Sequence, residues 1–225
     1  MKLQEINYQN TLDKIELKSG DVEEFAKNAK LIFFPENNVK IERYTKLPKF
    51  VPAFYMWVVN NKTVPTQEQF WQKYLSKNKK YFDEKQFDGD SFLAIRARAY
   101  RAYPSFVRDL HFALFLKEKI GADKVVYSAK LDIDYGIDVL LKLKYNHSVS
   151  LFANTARAIE ARNWKLNRHE ILEDVNYVDI KVEKMETPNF GEFFLYHQTE
   201  YNTLRDELSK KPTFTTINRP SVPEA

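Results

Sequence analysis

From Ser91 to Ile120 the apolar residues recur at helical spacing, and Pro104 is the one residue in the stretch that a helix interior resists. A helix that long must bury one side against the rest of the chain, so it sets the frame for every other element. The expectation is a break or bend at Pro104, which suits the first turn of a second helix, and a stop at Gly121. Beyond the stop the pattern changes to strand-like alternation, in Val125-Val126-Tyr127-Ser128, in Ile137 to Leu143 and, after a turn at Tyr145-Asn146-His147, in Val149 to Phe152. These read as one antiparallel meander. Thr155 to His169 returns to helical composition, Tyr177 to Lys184 and Phe193 to Tyr196 read as strands, and Thr199 to Leu208 as a closing helix. The order gives an α+β (mixed α/β) class with a central mixed sheet flanked by helices.

Ahead of the long helix lies a helical and irregular N-terminal region, residues 1–87. Asp21 to Lys30 reads as a short helix that runs into Leu31-Ile32-Phe33-Phe34, stopped by Pro35. Phe50 to Val59 is apolar enough to be buried, but its period does not separate helix from strand. Thr66 with Gln69 three residues on has the form of a capping box, and Phe70, Trp71, Tyr74 and Leu75 make a helical stripe, giving a helix from Thr66 to about Ser76. The polar stretch Lys77–Asp90 marks the boundary, residues 88–209 form the core, and 210–225, rich in Pro, Ser and Thr, form a tail.

With 225 residues, 44% of them hydrophobic and 15% aromatic, the chain is no disordered polymer. A net charge of +4 permits a nucleic-acid partner without requiring one. The absence of cysteine excludes disulfides, thiolate zinc sites and a cysteine nucleophile. Five glycines, none in a GxGxxG or GxxxxGK[ST] pattern, remove dinucleotide and P-loop chemistry. No apolar run has signal-peptide length or approaches the roughly 20 residues of a membrane helix, so the expectation is a cytoplasmic protein with no membrane partner.

The most informative string is Gly136-Ile137-Asp138-Val139, set between the long helix and a second strand that leads to a basic helix. This order and string resemble the core of the PD-(D/E)XK restriction-endonuclease-like superfamily over roughly residues 91–208. The resemblance implies a first strand whose acid binds Mg²⁺, matched by Asp138, and a next strand bearing an acid and a lysine two residues apart. Two-residue spacing places both side chains on one sheet face beside the first carboxylate. The corresponding segment, Val149 to Arg157, has neither carboxylate nor lysine; Thr155 and Arg157 have the spacing, but an arginine does not release a proton near neutral pH. Charge for a metal must then come from Asp134, Asp132 or Asp109, with Asp138 and Asp134 the nearest pair in sequence. The same aspartates also read as the solvated flank of a turn at Asp134-Tyr135-Gly136.

Arginines supply the second signal. Arg98, Arg101, Arg108 and Asp109 fall on one side of the long helix, and Arg162, Lys165 and His169 share a face of the later helix, with Arg168 nearby; both are candidate nucleic-acid surfaces or plain solvated faces. The four histidines show no HxxxH or HExxH pattern, and His111 reads as packed in the core. Two functions stand open: a nucleic-acid-associated, Mg²⁺-dependent nuclease-like enzyme, or an inactive endonuclease-like scaffold that binds nucleic acid or a protein partner. The Lys- and Asn-rich composition suits a bacterial or phage accessory protein in phage–host conflict. Phe50, Phe54, Tyr55 and Trp57 are either a partner surface or, by preference, a core layer.

Overall fold

The computed structural model describes residues 1–35, 38–154, 156–182 and 189–210. Helices α1 (Ser19–Asn28), α2 (Val51–Asn61), α3 (Gln67–Lys77) and α4 (Lys79–Lys85) precede the long α5 (Gly89–Ile120). Then come β1 (Val125–Val126), α6 (Ala129–Tyr135), β2 (Val139–Lys142), β3 (Asn146–Ala153), α7 (Ala156–Arg168) and β4 (Val175–Val182). A hairpin of β5 (Asn189–Phe190) and β6 (Phe193–Phe194) leads into α8 (Gln198–Ser209). The class is the expected α+β, with a mixed sheet in the order β1-β2-β3-β4. β1, β2 and β3 form the antiparallel meander, and β4 lies parallel to β3 across the α7 crossover.

Period-two alternation gives the sheet two buried faces. Val139, Leu141, Val149, Val178, Ile180 and Val182 join the main core with α5, while Val126, Leu140 and Val175 join a smaller cluster with Leu3, Ile6 and Leu131. The main core runs without a gap across the 87/88 boundary. Phe54 of α2 and Phe70 of α3 set their rings 5.7 to 6.2 Å from Tyr103 and Phe106 of α5. Three of the aromatics at 50–57 thus form a core layer: Phe54 and Tyr55 are buried, and Phe50 packs on Phe70 and Tyr74, while Trp57 is half-buried. Pro52 in the first turn and Lys62 in a left-handed C-cap settle this stretch as helix rather than strand.

α5 is not broken at Pro104: it stays one helix from its Asp88 cap, which accepts from Ser91 N at 2.7 Å, to Gly121. Proline removes the N–H that would bond the carbonyl four residues earlier, that of Tyr100. The amide of buried Gln67 replaces it, donating from Nε2 to Tyr100 O at 3.2 Å. The same amide accepts from Ile32 N at 2.5 Å and donates to Ile32 O at 3.3 Å. Two short helices were not expected. α4 fills part of the polar boundary, with Phe82 against Tyr74 and Phe92, and α6 occupies the stretch before Gly136, whose φ of 66° ends it in a left-handed cap. The tail beyond Lys210 lies outside the described residues.

Replacing Gln67 by Leu keeps the volume but strips the Tyr100 and Ile32 groups of their partners. The expected outcome is a loss of about 1–3 kcal/mol, measured as a lower urea midpoint with an unchanged m-value.

Candidate functional site

Asp138 sits one residue ahead of β2, and one step beyond the Val139–Val149 pair the register carries it opposite Ser150 of β3. α5 contributes Arg108 and Asp109, and α6 contributes Asp132. Three buried tyrosines gather these groups: Tyr55 from α2, Tyr127 just after β1, and Tyr196 between β6 and α8. Tyr55 and Tyr127 stack at 4.4 Å with planes 21° apart. The Tyr196 hydroxyl reaches Leu151 O at 3.4 Å, and Arg108 lies 5.7 Å over the Tyr196 ring.

The electrostatics fix the order of the cluster. Burial pushes the Tyr127 hydroxyl well up, and the charges of Asp109, Asp132 and Asp138 push it further. Burial also raises Tyr55, helped by Tyr127, Asp132 and Asp109. Tyr196 is pushed up to about 12, chiefly by burial, with Arg108 pulling it down and Asp109, Asp138 and Glu200 pushing it up. Asp109 therefore acts on all three hydroxyls, Asp132 on the Tyr55–Tyr127 end, and Asp138 on the Tyr127–Tyr196 end. These aspartates thus act by their charge on three buried tyrosine hydroxyls.

Of the pair nearest in sequence, Asp138 belongs to this cluster, whereas Asp134 is exposed and paired with Lys130 at 2.9 Å along α6. Its backbone carbonyl meets His169 Nδ1 at 3.0 Å. Thr155 lies outside the described residues, as do the side chains of Arg157, Lys165 and Arg168. β3 ends at Ala153 and Arg157 belongs to α7, so the spacing of Thr155 and Arg157 is not strand spacing, and the face-sharing argument fails for them. Ser148 and Ser150 of β3 are buried, their hydroxyls without hydrogen-bond partners among the described residues.

Among the described side chains of the two arginine faces, Arg98 and Arg162 are engaged within the fold. Arg98 donates to Ile41 O at 2.8 Å and covers the Phe50 ring, and Arg101 is half-buried and engaged. Arg162, almost fully buried, donates from Nε to Asp179 Oδ1 at 2.9 Å. The segments laid over α5 and the packing of α7 on the sheet cover what a helical wheel leaves open. Two groups escaped the sequence reading. The tyrosine wall comes from distant segments with no local motif. His111 and His197 also meet, ring centroids 5.3 Å apart, with Glu23 Oε1 3.2 Å from His111 Nε2. No protein-family model, curated protein or solved structure matches the chain.

The Tyr55 hydroxyl is buried without hydrogen-bond geometry to any described partner. Its contribution to stability is intact below the ordinary tyrosine pKa of about 10 and is lost as the pH rises above it, because the unfolded chain ionises there and the folded one does not. Tyr55→Phe is therefore expected to cost nothing at neutral pH, and to flatten the alkaline fall in stability by about 1.4 kcal/mol per pH unit. Urea melts of both proteins across that range check it.

Proposed function

We propose that this protein is nucleic-acid-associated and built on an endonuclease-like frame, with Asp138 and Asp109 as the carboxylates that hold a divalent ion such as Mg²⁺. The observation that carries the reading is the convergence of these two residues, from the head of β2 and from α5, on the same two buried hydroxyls of Tyr127 and Tyr196. The element order supports it: a long helix, an antiparallel meander, a helix, and a strand parallel to the third. Mg²⁺ takes oxygen ligands, and one or two carboxylates with water and substrate phosphate complete its shell, so the donor set fits. Such an ion, when bound, would supply Lewis-acid stabilisation of phosphate charge.

The chain's own residues then have separable tasks. Asp132 adds negative charge at the Tyr55–Tyr127 end, and the tyrosine rings exclude water from one side of the carboxylates. Arg108 holds a fixed positive charge next to Asp109, placed to meet a phosphate. The α7 N-terminus follows β3 at the sheet end where β2 begins, and its backbone N–H groups favour an anion there.

A second reading, an inactive scaffold that binds nucleic acid or a protein, is favoured by one observation: Ser150 stands opposite Asp138 where the resemblance implies an acid. For this reading the exposed apolar side chains include Ile32, Phe33, Val39 and Tyr44, with Phe33 and Tyr44 more than three-quarters exposed. Cleavage and binding of single- and double-stranded DNA and RNA, with Mg²⁺ or Mn²⁺ and with EDTA, separate the two. The proposal expects cleavage that EDTA abolishes, and that Asp138→Ala and Asp109→Asn each reduce at least about 100-fold, on the scale of removing a principal charge-stabilising group. Salt-sensitive binding without cleavage under any metal would establish the scaffold reading. The absence of both binding and cleavage would overturn the nucleic-acid assignment.

A further inference from the structure

We infer that Glu23, His111 and His197 form a binding site for a divalent transition metal ion of the zinc class, separate from the Asp138 cluster. A nitrogen of each imidazole and a carboxylate oxygen of Glu23 all lie within 4.8 Å of one another. The three come from α1, from α5 and from the residue that starts α8. His111 stands two residues after Asp109, about 200° round the helix, so the two clusters occupy different sides of α5.

One orphaned nitrogen points to a ligand. His197 Nε2 is closed off from solvent without a hydrogen-bond partner among the described residues, and the facing His111 Nε2 meets Glu23 Oε1 at 3.2 Å. The His111 side chain is wholly buried, and an unpaired polar atom there is costly unless something else satisfies the cluster. Two imidazoles and a carboxylate are the donor set of a borderline-soft ion and not of Mg²⁺ or Ca²⁺, which take oxygen.

The spacing suits such an ion. With metal–ligand bonds of about 2.0–2.1 Å, tetrahedral ligand atoms stand roughly 3.3 Å apart, and Glu23 Oε1 is already 3.2 Å from His111 Nε2. The remaining closure is a side-chain adjustment of His197. Its ring is stacked on Phe190 at 4.8 Å, while His111 stacks on Phe115 at 6.2 Å. The supporting elements are fastened. Ser19, at the start of α1, donates from N and Oγ to Glu118 of α5 at 2.7 and 2.5 Å, and His197 N donates to Glu200 at 2.7 Å. Glu23 is a quarter exposed, so a fourth position, filled by water, would open on its side. The ion would join α1, α5 and the beginning of α8.

The test uses the full chain, stripped with EDTA and titrated with Zn²⁺ by calorimetry and with Co²⁺ by visible absorption, both in excess Mg²⁺ to fill any all-oxygen site. The expected result is one equivalent bound, with Co²⁺ bands of a four-coordinate nitrogen–oxygen site and a higher Tm in Zn²⁺. His197→Ala and Glu23→Gln should each weaken Zn²⁺ binding by at least about 100-fold, since losing a ligand exceeds the loss of an outer-shell partner. Should His197→Ala fail to fold without metal, Glu23→Gln, at the solvent side of the cluster, carries the test. No bound Zn²⁺ or Co²⁺, displacement by Mg²⁺, or affinity unchanged in the folded variants would each overturn the inference.

Discussion

The long helix α5 survives its internal proline because of one side-chain amide. Pro104 takes away the donor for Tyr100 O, and a proline inside a helix costs about 3 kcal/mol or more when nothing compensates. Gln67 Nε2 fills that vacancy from α3, and its other contacts hold the backbone at Ile32. One residue thus joins the helix, the α3 layer and the strand-like segment in front of it. Without that repair Tyr100 O would lose this partner beside Tyr103 and Phe106, which flank the proline and pack on Phe54 and Phe70. Arg108, Asp109 and His111 are carried on the same half of the helix, so both proposed sites inherit their geometry from it.

Around that axis the core is aromatic, and several of its tyrosine hydroxyls are settled by nearby carbonyls and carboxylates. Tyr74 donates to Pro48 O at 3.0 Å, Tyr103 to Pro65 O, and Tyr100 to Glu68 at 2.6 Å. A tyrosine buried this way contributes ring area to the core without leaving its hydroxyl unpaired. The arginines follow the same logic. Arg96 lies 5.0 Å from the Phe34 ring and 5.2 Å from Tyr100 while it reaches Glu68, and Arg162 ends on Asp179. Guanidinium groups that pack on rings and close hydrogen bonds are structural, so much of the chain's positive charge serves the fold before it serves any partner.

The sequence made some of this legible and hid the rest for physical reasons. The long helix, the capped α3 and the helix–meander–helix–strand order follow from periodicity and turn residues, which are local. Pro104 misled because its remedy sits in another element, 33 residues away from Tyr100. α6 was missed because seven residues hold too few turns to show a helical period. In the candidate site, Asp138 was legible through its glycine and the resemblance it carries, and Asp109 as a source of extra charge. Asp134 was the nearer aspartate in sequence, yet helix geometry turns it to solvent beside Lys130. The arginine faces looked open because a helical wheel contains no neighbouring elements. His111 and His197 looked scattered because spacing says nothing about residues that only the tertiary fold unites.

The two clusters share more than a helix. Tyr196 and His197 are adjacent in an extended link between β6 and α8, and adjacent extended residues face opposite ways. Tyr196 meets Arg108 and lies within the influence of Asp109 and Asp138, while His197 meets His111. On α5, Asp109 and His111 divide in the same way. Two short stretches of chain therefore feed both sites, and a shift of the 196–197 link against α5 changes both at once. Tyr196 is further tied to β3 through Leu151 O, so such a shift also works against the sheet. An ion bound between α1, α5 and α8 would hold that link in place, and with it the wall of the aspartate cluster. Coupling of this kind needs no long pathway, only two neighbouring residues with different duties.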